Sequence, residues 1–298
     1  MIVLFYNRKT KNRIVTTWMN ICVIFVALLP FILGIGLFVK SELLFQSNSL
    51  GDLLFSDVWK PYQGKFGFFP FIMGSVWVTF LAMLISAPIC LFAAIYLTQY
   101  SKSYYLKIIH TAIDILAGIP SVVYGVWGII VVVPFISNYV APIFGVKTLG
   151  YSVLAGAIVL SVMIIPFILN ILIEIFRTIP VELTEASLSV GATKWQTIKF
   201  VLVKKALPGI IAALGFGLAR AFGETMAVLM VVGNVVKIPH SMFEPGYPLP
   251  ALIANNYGEM LSIPKYDAAL MFAALILFLV VMAFNALMRM LIIRYEKY

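Results

Sequence analysis

Residues 219–228 read ARAFGETMAV and place two ionisable side chains, Arg220 and Glu224, inside an apolar run from Ile210 to Gly233. On a helix, residues four apart stand about 40° apart around the axis and one turn along it, so the two can pair. An ionised residue at the centre of a bilayer costs about 2.5–3.5 kcal/mol on insertion scales, and most of that is avoided when a pair faces protein or water. Two roles fit such a pair. It could be a buried salt bridge that orients its helix, or it could line an ion route, the usual work of ionisable groups within a membrane. Thr225 adds a hydroxyl about 100° from Glu224. Gly215, Gly217 and Gly223 would let neighbouring helices approach closely.

Little else in the chain could react. His110 and His240 stand apart from other ligand-type residues, so no metal site is expected. Cys22 and Cys90 both fall in long apolar runs, as small buried hydrophobes do. No G-x-x-x-x-G-K-[ST], H-E-x-x-H or G-x-S-x-G occurs. The chain itself is therefore not expected to be an enzyme, to bind ATP through a P-loop or to hold a cofactor. An intramembrane hydrolase would need a nucleophile or metal beside Arg220 and Glu224, and the sequence offers neither.

The elements that carry these residues follow from composition. Of 298 residues, 62% are hydrophobic and 11% charged, with a mean hydropathy of +1.04. That pattern points to a polytopic all-α membrane protein. Six stretches reach the roughly 20 apolar residues needed to span a bilayer. They are Ile14–Val39, Phe69–Leu97, Ile119–Ser137, Gly150–Ile173, Ile210–Val236 and Ala268–Ile292. The first follows RKTKNR like a signal peptide, but its apolar stretch is too long for one and is read as a retained helix. Pro30, Pro88, Pro134 and Pro166 fall within spans, where they serve as kinks or as packing devices.

The net charge of +9 concerns topology, because the basic residues cluster in the connections between spans. With the N-terminus inside, fourteen Lys and Arg lie on the cytoplasmic side and six outside, which favours N-in, C-in. No nucleic-acid partner is expected. Two long outer segments, Lys40–Gly67 and Lys237–Tyr266, offer surface to an external partner. Trp59, Tyr62, Phe66 and Phe68 are expected there as membrane-belt anchors and loop packing.

The longest inner connection, residues 174–209, reads as an elbow lying flat under the membrane. Thr184 is expected to cap a first short helix with Glu185 in its first turn, Gly191 to break it, and Thr193 to cap a second helix, Lys194–Lys205. By spacing alone this is a docking surface or a folded loop.

This stretch resembles the EAA loop of ABC importer permeases, E-A-A-x3-G-x9-I-x-L-P. Glu185, Ala186 and Ser187 fill the first three places, and Gly191 falls at the family spacing. Val201 and Val203 stand at the later apolar positions, while Lys204 replaces the proline. FGFFPFIMGSVWVTFLAMLISAPICLFAAIYLTQY (Phe66–Tyr100) and AGIPSVVYGVWG (Ala117–Gly128) resemble core helices of phosphate-importer permeases. LARAFGETMAVLMVVGN (Leu218–Asn234) is similar to the signature of the PstC-type permease subunits. The sister PstA-type subunits usually continue with Ala-Pro where Met226, Ala227 and Val228 stand.

The resemblance covers Phe66 to the C-terminus. It implies a type I ABC importer permease core over residues 66–298, with a coupling elbow at about 184–205. Residues 1–65 would form a cytoplasmic tail, the first span and an outer loop. The implied activity is phosphate import by alternating access in a bacterial cytoplasmic (inner) membrane. Implied partners are a PstA-like permease, a PstB-like ATPase dimer on Glu185, Ala186, Ser187 and Gly191, and a PstS-like extracytoplasmic phosphate-binding protein. Arg220, Glu224 and Thr225 would lie along the phosphate pathway, where a guanidinium fork matches phosphate oxygens and Glu224 competes to permit release. The alternatives are the PstA-type sister subunit, or a permease for another oxyanion such as sulfate or molybdate.

Overall fold

The computed structural model describes residues 8–46, 48–258 and 263–296. Lys297 and the start of the expected N-terminal tail, residues 1–7, lie outside them. In chain order come α1 (Arg8–Phe45), α2 (Leu50–Phe55), the strands β1 (Trp59–Lys60) and β2 (Lys65–Phe66), α3 (Phe69–Gln99) and α4 (Ser103–Gly118). Then follow α5 (Ser121–Ile143), α6 (Val153–Arg177), α7 (Val181–Ser189), α8 (Lys194–Phe222), α9 (Met226–Leu229), α10 (Leu249–Asn256) and α11 (Pro264–Glu296). Among the described residues six helices are long and apolar enough to cross a membrane: α1, α3, α5, α6, α8 and α11.

The core lies along α3 and α6. Val78, Ala82, Cys90 and Ala94 of α3 meet Leu160, Ile164, Ile168 and Leu172 of α6, and α8 joins through Ile210 and Ala213. Small residues on α3 and α8 let the backbones come close. A Cβ on Gly217 would collide with Ile168, and one on Gly215 would lie 2.6 Å from Met288 Cγ of α11. By contrast, α1 is apolar all round and largely uncovered, touching α11 near its end, where Phe45 meets Phe272 edge-on at 5.3 Å. Such a surface suits lipid. In α5, wide π turns at Gly128–Val132 and Ile136–Val140 flank Pro134, taking up the strain of its missing donor.

A second core closes the end of the bundle where α3 and α11 begin. Trp59 sits edge-on to Phe66, Phe68, Phe71 and Tyr266, with ring centroids 4.8–5.9 Å apart. Of the two expectations for these aromatics, belt and loop packing, three of them follow the second. Trp59, Phe66 and Phe68 turn inward because the β1–β2 hairpin folds back on α3, and only Tyr62 at its tip is fully exposed.

The fifth span also differs from expectation. It runs Lys194–Phe222 as one helix, sixteen residues upstream of the expected start. Thr193 and Gln196 form a capping box at its start, with Gln196 N–H donating to Thr193 Oγ1 (3.3 Å) and Thr193 N–H to Gln196 Oε1 (2.8 Å). A π turn at Ile198–Leu202 and Pro208 lie within it, and helical bonding continues to Phe222. The second arm of the elbow is thus continuous with the fifth apolar helix and is not a separate short helix. In the first arm Thr184 is no cap: α7 starts at Val181 with Pro180 at the cap position, where its fixed φ and missing N–H suit the entry to a helix.

After Gly223 the chain turns back into the bundle. The first N–H groups of α6 show how this segment is held. Ser152 N–H donates to Val231 O, Val153 N–H to Glu244 O, Leu154 N–H to Met242 O and Ala155 N–H to Ser152 Oγ, all at 2.9–3.2 Å. All four orphan donors of that helix end are satisfied, as an apolar surrounding requires. Glu244 itself accepts from His240 N–H and Lys237 Nζ, both at 3.0 Å, which hold its carboxyl below the usual glutamate range.

Candidate functional site

Arg220 and Glu224 flank the end of α8 instead of sharing one helix face. Helical bonding stops at Phe222, and Gly223 and Glu224 N–H close short turns onto Arg220 O (3.2 Å) and Ala221 O (3.3 Å). Among the described residues the ion pairs are Glu174–Arg177 and Lys237–Glu244, so the expected Arg220–Glu224 pair is not made. The physical reason is the break: the i, i+4 geometry exists only on an unbroken helix.

Each charge instead serves a helix end. Arg220 lies in the last turn of α8, where the dipole favours a cation. Its guanidinium stacks 4.9 Å from the ring centroid of Phe167, near the middle of α6. Glu224 Oε1 accepts from Ala227 N–H at 3.3 Å, in the first turn of α9. Thr225 Oγ1 donates to Gly223 O at 3.3 Å, tying off the turn. Arg220 is exposed on this chain, while Glu224 and Thr225 are half-buried. The structure brings these three residues to one helix break and turns the two charges apart.

Glu224 faces α3. It lines a cavity of about 10 Å³ together with Ser75, Thr79, Ala221, Phe222 and Pro248. Ser75 Oγ donates to Phe71 O (2.9 Å) and accepts from Leu249 N–H (2.8 Å), pinning the start of α10 to α3. Phe167, Ser75 and Thr79 were not singled out in the sequence. The two hydroxyls, four residues apart in an apolar span, were a legible signal, whereas Phe167 had none among so many aromatics. A larger cavity of about 530 Å³, lined by Thr148, Tyr151, Leu229 and Asn234 among others, contains none of the candidate residues.

The elbow residues lie far along the chain from this break. Glu185 and Ala186 are exposed on α7, none of whose residues is buried. Gly191 has φ +86°, a left-handed conformation that only glycine adopts without strain. Ser187 Oγ lies 2.9 Å from Thr197 Oγ1, which ties α7 to the first turn of α8. Together they make a short, uncovered helix held at a fixed angle to a membrane helix. Among the described residues no three His, Cys, Asp or Glu side chains converge as metal ligands would.

Comparison with known proteins places this architecture. Residues 86–297 match the family described as the binding-protein-dependent transport system inner membrane component. A phosphate transport system permease protein PstC from Xylella fastidiosa is 34% identical over 260 residues, covering 83% of this chain and 80% of that protein. The probable ABC transporter permease protein YqgH of Bacillus subtilis is 39% identical over 255 residues (84% and 80%). A probable PstC protein of Methanocaldococcus jannaschii is 32% identical over 277 residues (88% of each). Among solved structures, a bacterial alginate ABC transporter bound to its periplasmic protein contains a chain that aligns with a TM-score of 0.64 at 16% identity, over 95% of each chain. A chain of the inward-facing MetNI methionine transporter aligns at 0.52 and 21% identity, over 74% of this chain and 94% of that one. This chain is a multi-pass membrane protein and belongs to the family of binding-protein-dependent transport system inner membrane components.

Proposed function

We propose that the chain is the PstC-type permease subunit of an ATP-driven phosphate importer in a bacterial inner membrane, with both termini inside. The observation that carries this reading is Arg220. It sits at a helix break beside the middle of α6, exposed and without an ion pair among the described residues. Facing lipid, such a charge would cost about 2.5–3.5 kcal/mol. Its face is therefore covered by water or by a second permease chain, and a pathway between two such chains supplies both. Glu224 points away, so the guanidinium fork is open to two phosphate oxygens. Stacking on Phe167 fixes the fork without using its donors. Thr225 supports the turn beside the pathway. Relatives named as phosphate permeases favour phosphate over other oxyanions.

In this reading a separate ATPase dimer grips α7 through Glu185, Ala186 and Ser187. Gly191 and the Ser187–Thr197 contact pass its closure to α8, whose far end carries Arg220. A PstA-like permease completes the pathway, and a phosphate-binding protein docks at the outer end, near the aromatic core. The test is Arg220→Gln with phosphate uptake measured at equal membrane abundance of the assembled transporter. Uptake should fall at least a hundredfold, and retained uptake would refute the pathway role.

A further inference from the structure

The small cavity beside Glu224 holds a feature that the transport reading leaves unused. Thr79 is 3% exposed, yet among the described residues its hydroxyl has no hydrogen-bond partner. Among the described residues the fully buried side-chain polar atoms without a partner are on His110, Asn170 and Asn234, so the Thr79 oxygen opens on the cavity, where a water can reach it. No other side chain around the cavity is free to bond it. The Ser75 hydroxyl both donates and accepts elsewhere. Pro248 and Pro250 have no N–H, and Val78, Leu160, Ala221, Phe222 and Val228 contribute apolar side chains. Among the lining side chains that leaves the Glu224 carboxylate, which accepts only and uses Oε1 on Ala227 N–H. No direct Thr79–Glu224 hydrogen bond is made, but a cavity of about 10 Å³ has room for one water.

We propose that Thr79 is a positioning residue. Through one water in this cavity its hydroxyl holds the Glu224 carboxylate against α3, turned away from Arg220, and so keeps the guanidinium open to the anion. The inference rests on Arg220 being the anion site. Glu224 starts four residues from Arg220 across the Gly223 turn, and a carboxylate released from α3 is the nearest competitor in sequence for that guanidinium. The α3 contact therefore sets how strongly the site binds phosphate, while the pathway itself is left in place.

The test is concentration-dependent phosphate uptake by the assembled transporter carrying Thr79→Val, which keeps the shape and removes the hydroxyl. The KM should rise roughly tenfold, the scale of one lost hydrogen bond to a charged group, with the maximal rate much less affected. Thr79→Ser should restore the KM, because it returns the hydroxyl, whereas a purely packing role would not be rescued by the smaller side chain. Thr79→Cys, nearly isosteric with only a weak donor, should behave like the valine variant and is the variant to read if valine fails to insert. An unchanged KM in the variants lacking the hydroxyl, or a serine variant that behaves like valine, would overturn the proposal. Arg220→Gln measured alongside separates the two readings: if it abolishes uptake while Thr79→Val keeps the normal KM, only the positioning role fails.

Discussion

Arg220 shows how a charge can be held at the end of an apolar helix, exposed on this chain and without an ion pair among the described residues. The last turn of α8 supplies a negative dipole end, and the ring of Phe167 supplies a face of negative quadrupole 4.9 Å away. Neither contact consumes all five donors of the fork. If Phe167 fixes the guanidinium for an incoming anion, Phe167→Leu should weaken phosphate binding while leaving the charge in place. A cation–π contact of about 0.5–1 kcal/mol predicts a KM raised roughly two- to fivefold, read from uptake curves at equal protein abundance. An unchanged KM would mean that the ring serves packing alone. The charges themselves were legible in the sequence. Their separation was not, because it depends on where the helix ends and on what α3 offers to Glu224.

The elbow makes its argument at the level of elements. α7 buries none of its residues in this chain, and it reaches α8 through Gly191 at φ +86° and the Ser187–Thr197 contact. A Cβ at Gly191 would meet nothing within 4 Å, so a larger residue there suffers from backbone conformation and not from a clash. The cost of left-handed backbone is about 1–2 kcal/mol for an ordinary residue, most for a β-branched one and least for Asn. Gly191→Val should therefore shift the angle between α7 and α8 and lower phosphate-stimulated ATP hydrolysis by the assembled complex. Gly191→Asn should retain most of it. Equal activity in both variants would show that the turn geometry does not carry the coupling. The Glu–Gly spacing made this elbow readable in advance. Its second arm was misread as a surface helix, because a capped amphipathic start and an apolar continuation look like two helices until they are seen to be one.

At the scale of the whole molecule, two cores hold the fold at different depths. One joins α3, α6 and α8 through small and aliphatic residues, and the other gathers aromatics around Trp59. The second core links the β1–β2 hairpin to α3 and α11, with Tyr247 packing on Phe71 at 5.3 Å. Tyr247 belongs to the same returning segment as Glu244 and leads into α10, so the aromatic end of the bundle and the helix break share a support. Trp59→Ala should destabilise the purified protein by about 3–5 kcal/mol, the cost of emptying a packed aromatic site. Thermal unfolding in detergent checks this, and a loss well under 1 kcal/mol would return Trp59 to a membrane-belt role.

By itself the sequence determined the class of the molecule: six apolar spans, two charged residues within an apolar run, a turn at Gly191 before the fifth span and the family likeness. These are properties of composition and local spacing, and the lipid environment enforces them strongly, since every spanning segment must satisfy its own backbone. Only the tertiary structure decided that the fifth span ends at Phe222, that residues 223–256 fold back into the bundle, and that Trp59, Phe66 and Phe68 pack inward. It also decided the partners of Glu224. Apolar residues on either side of Gly223 satisfy a hydropathy window equally well whether they continue a span or plug it. The choice rests on contacts distant in sequence: Ser75 with Leu249, Val153 with Glu244, and Leu154 with Met242.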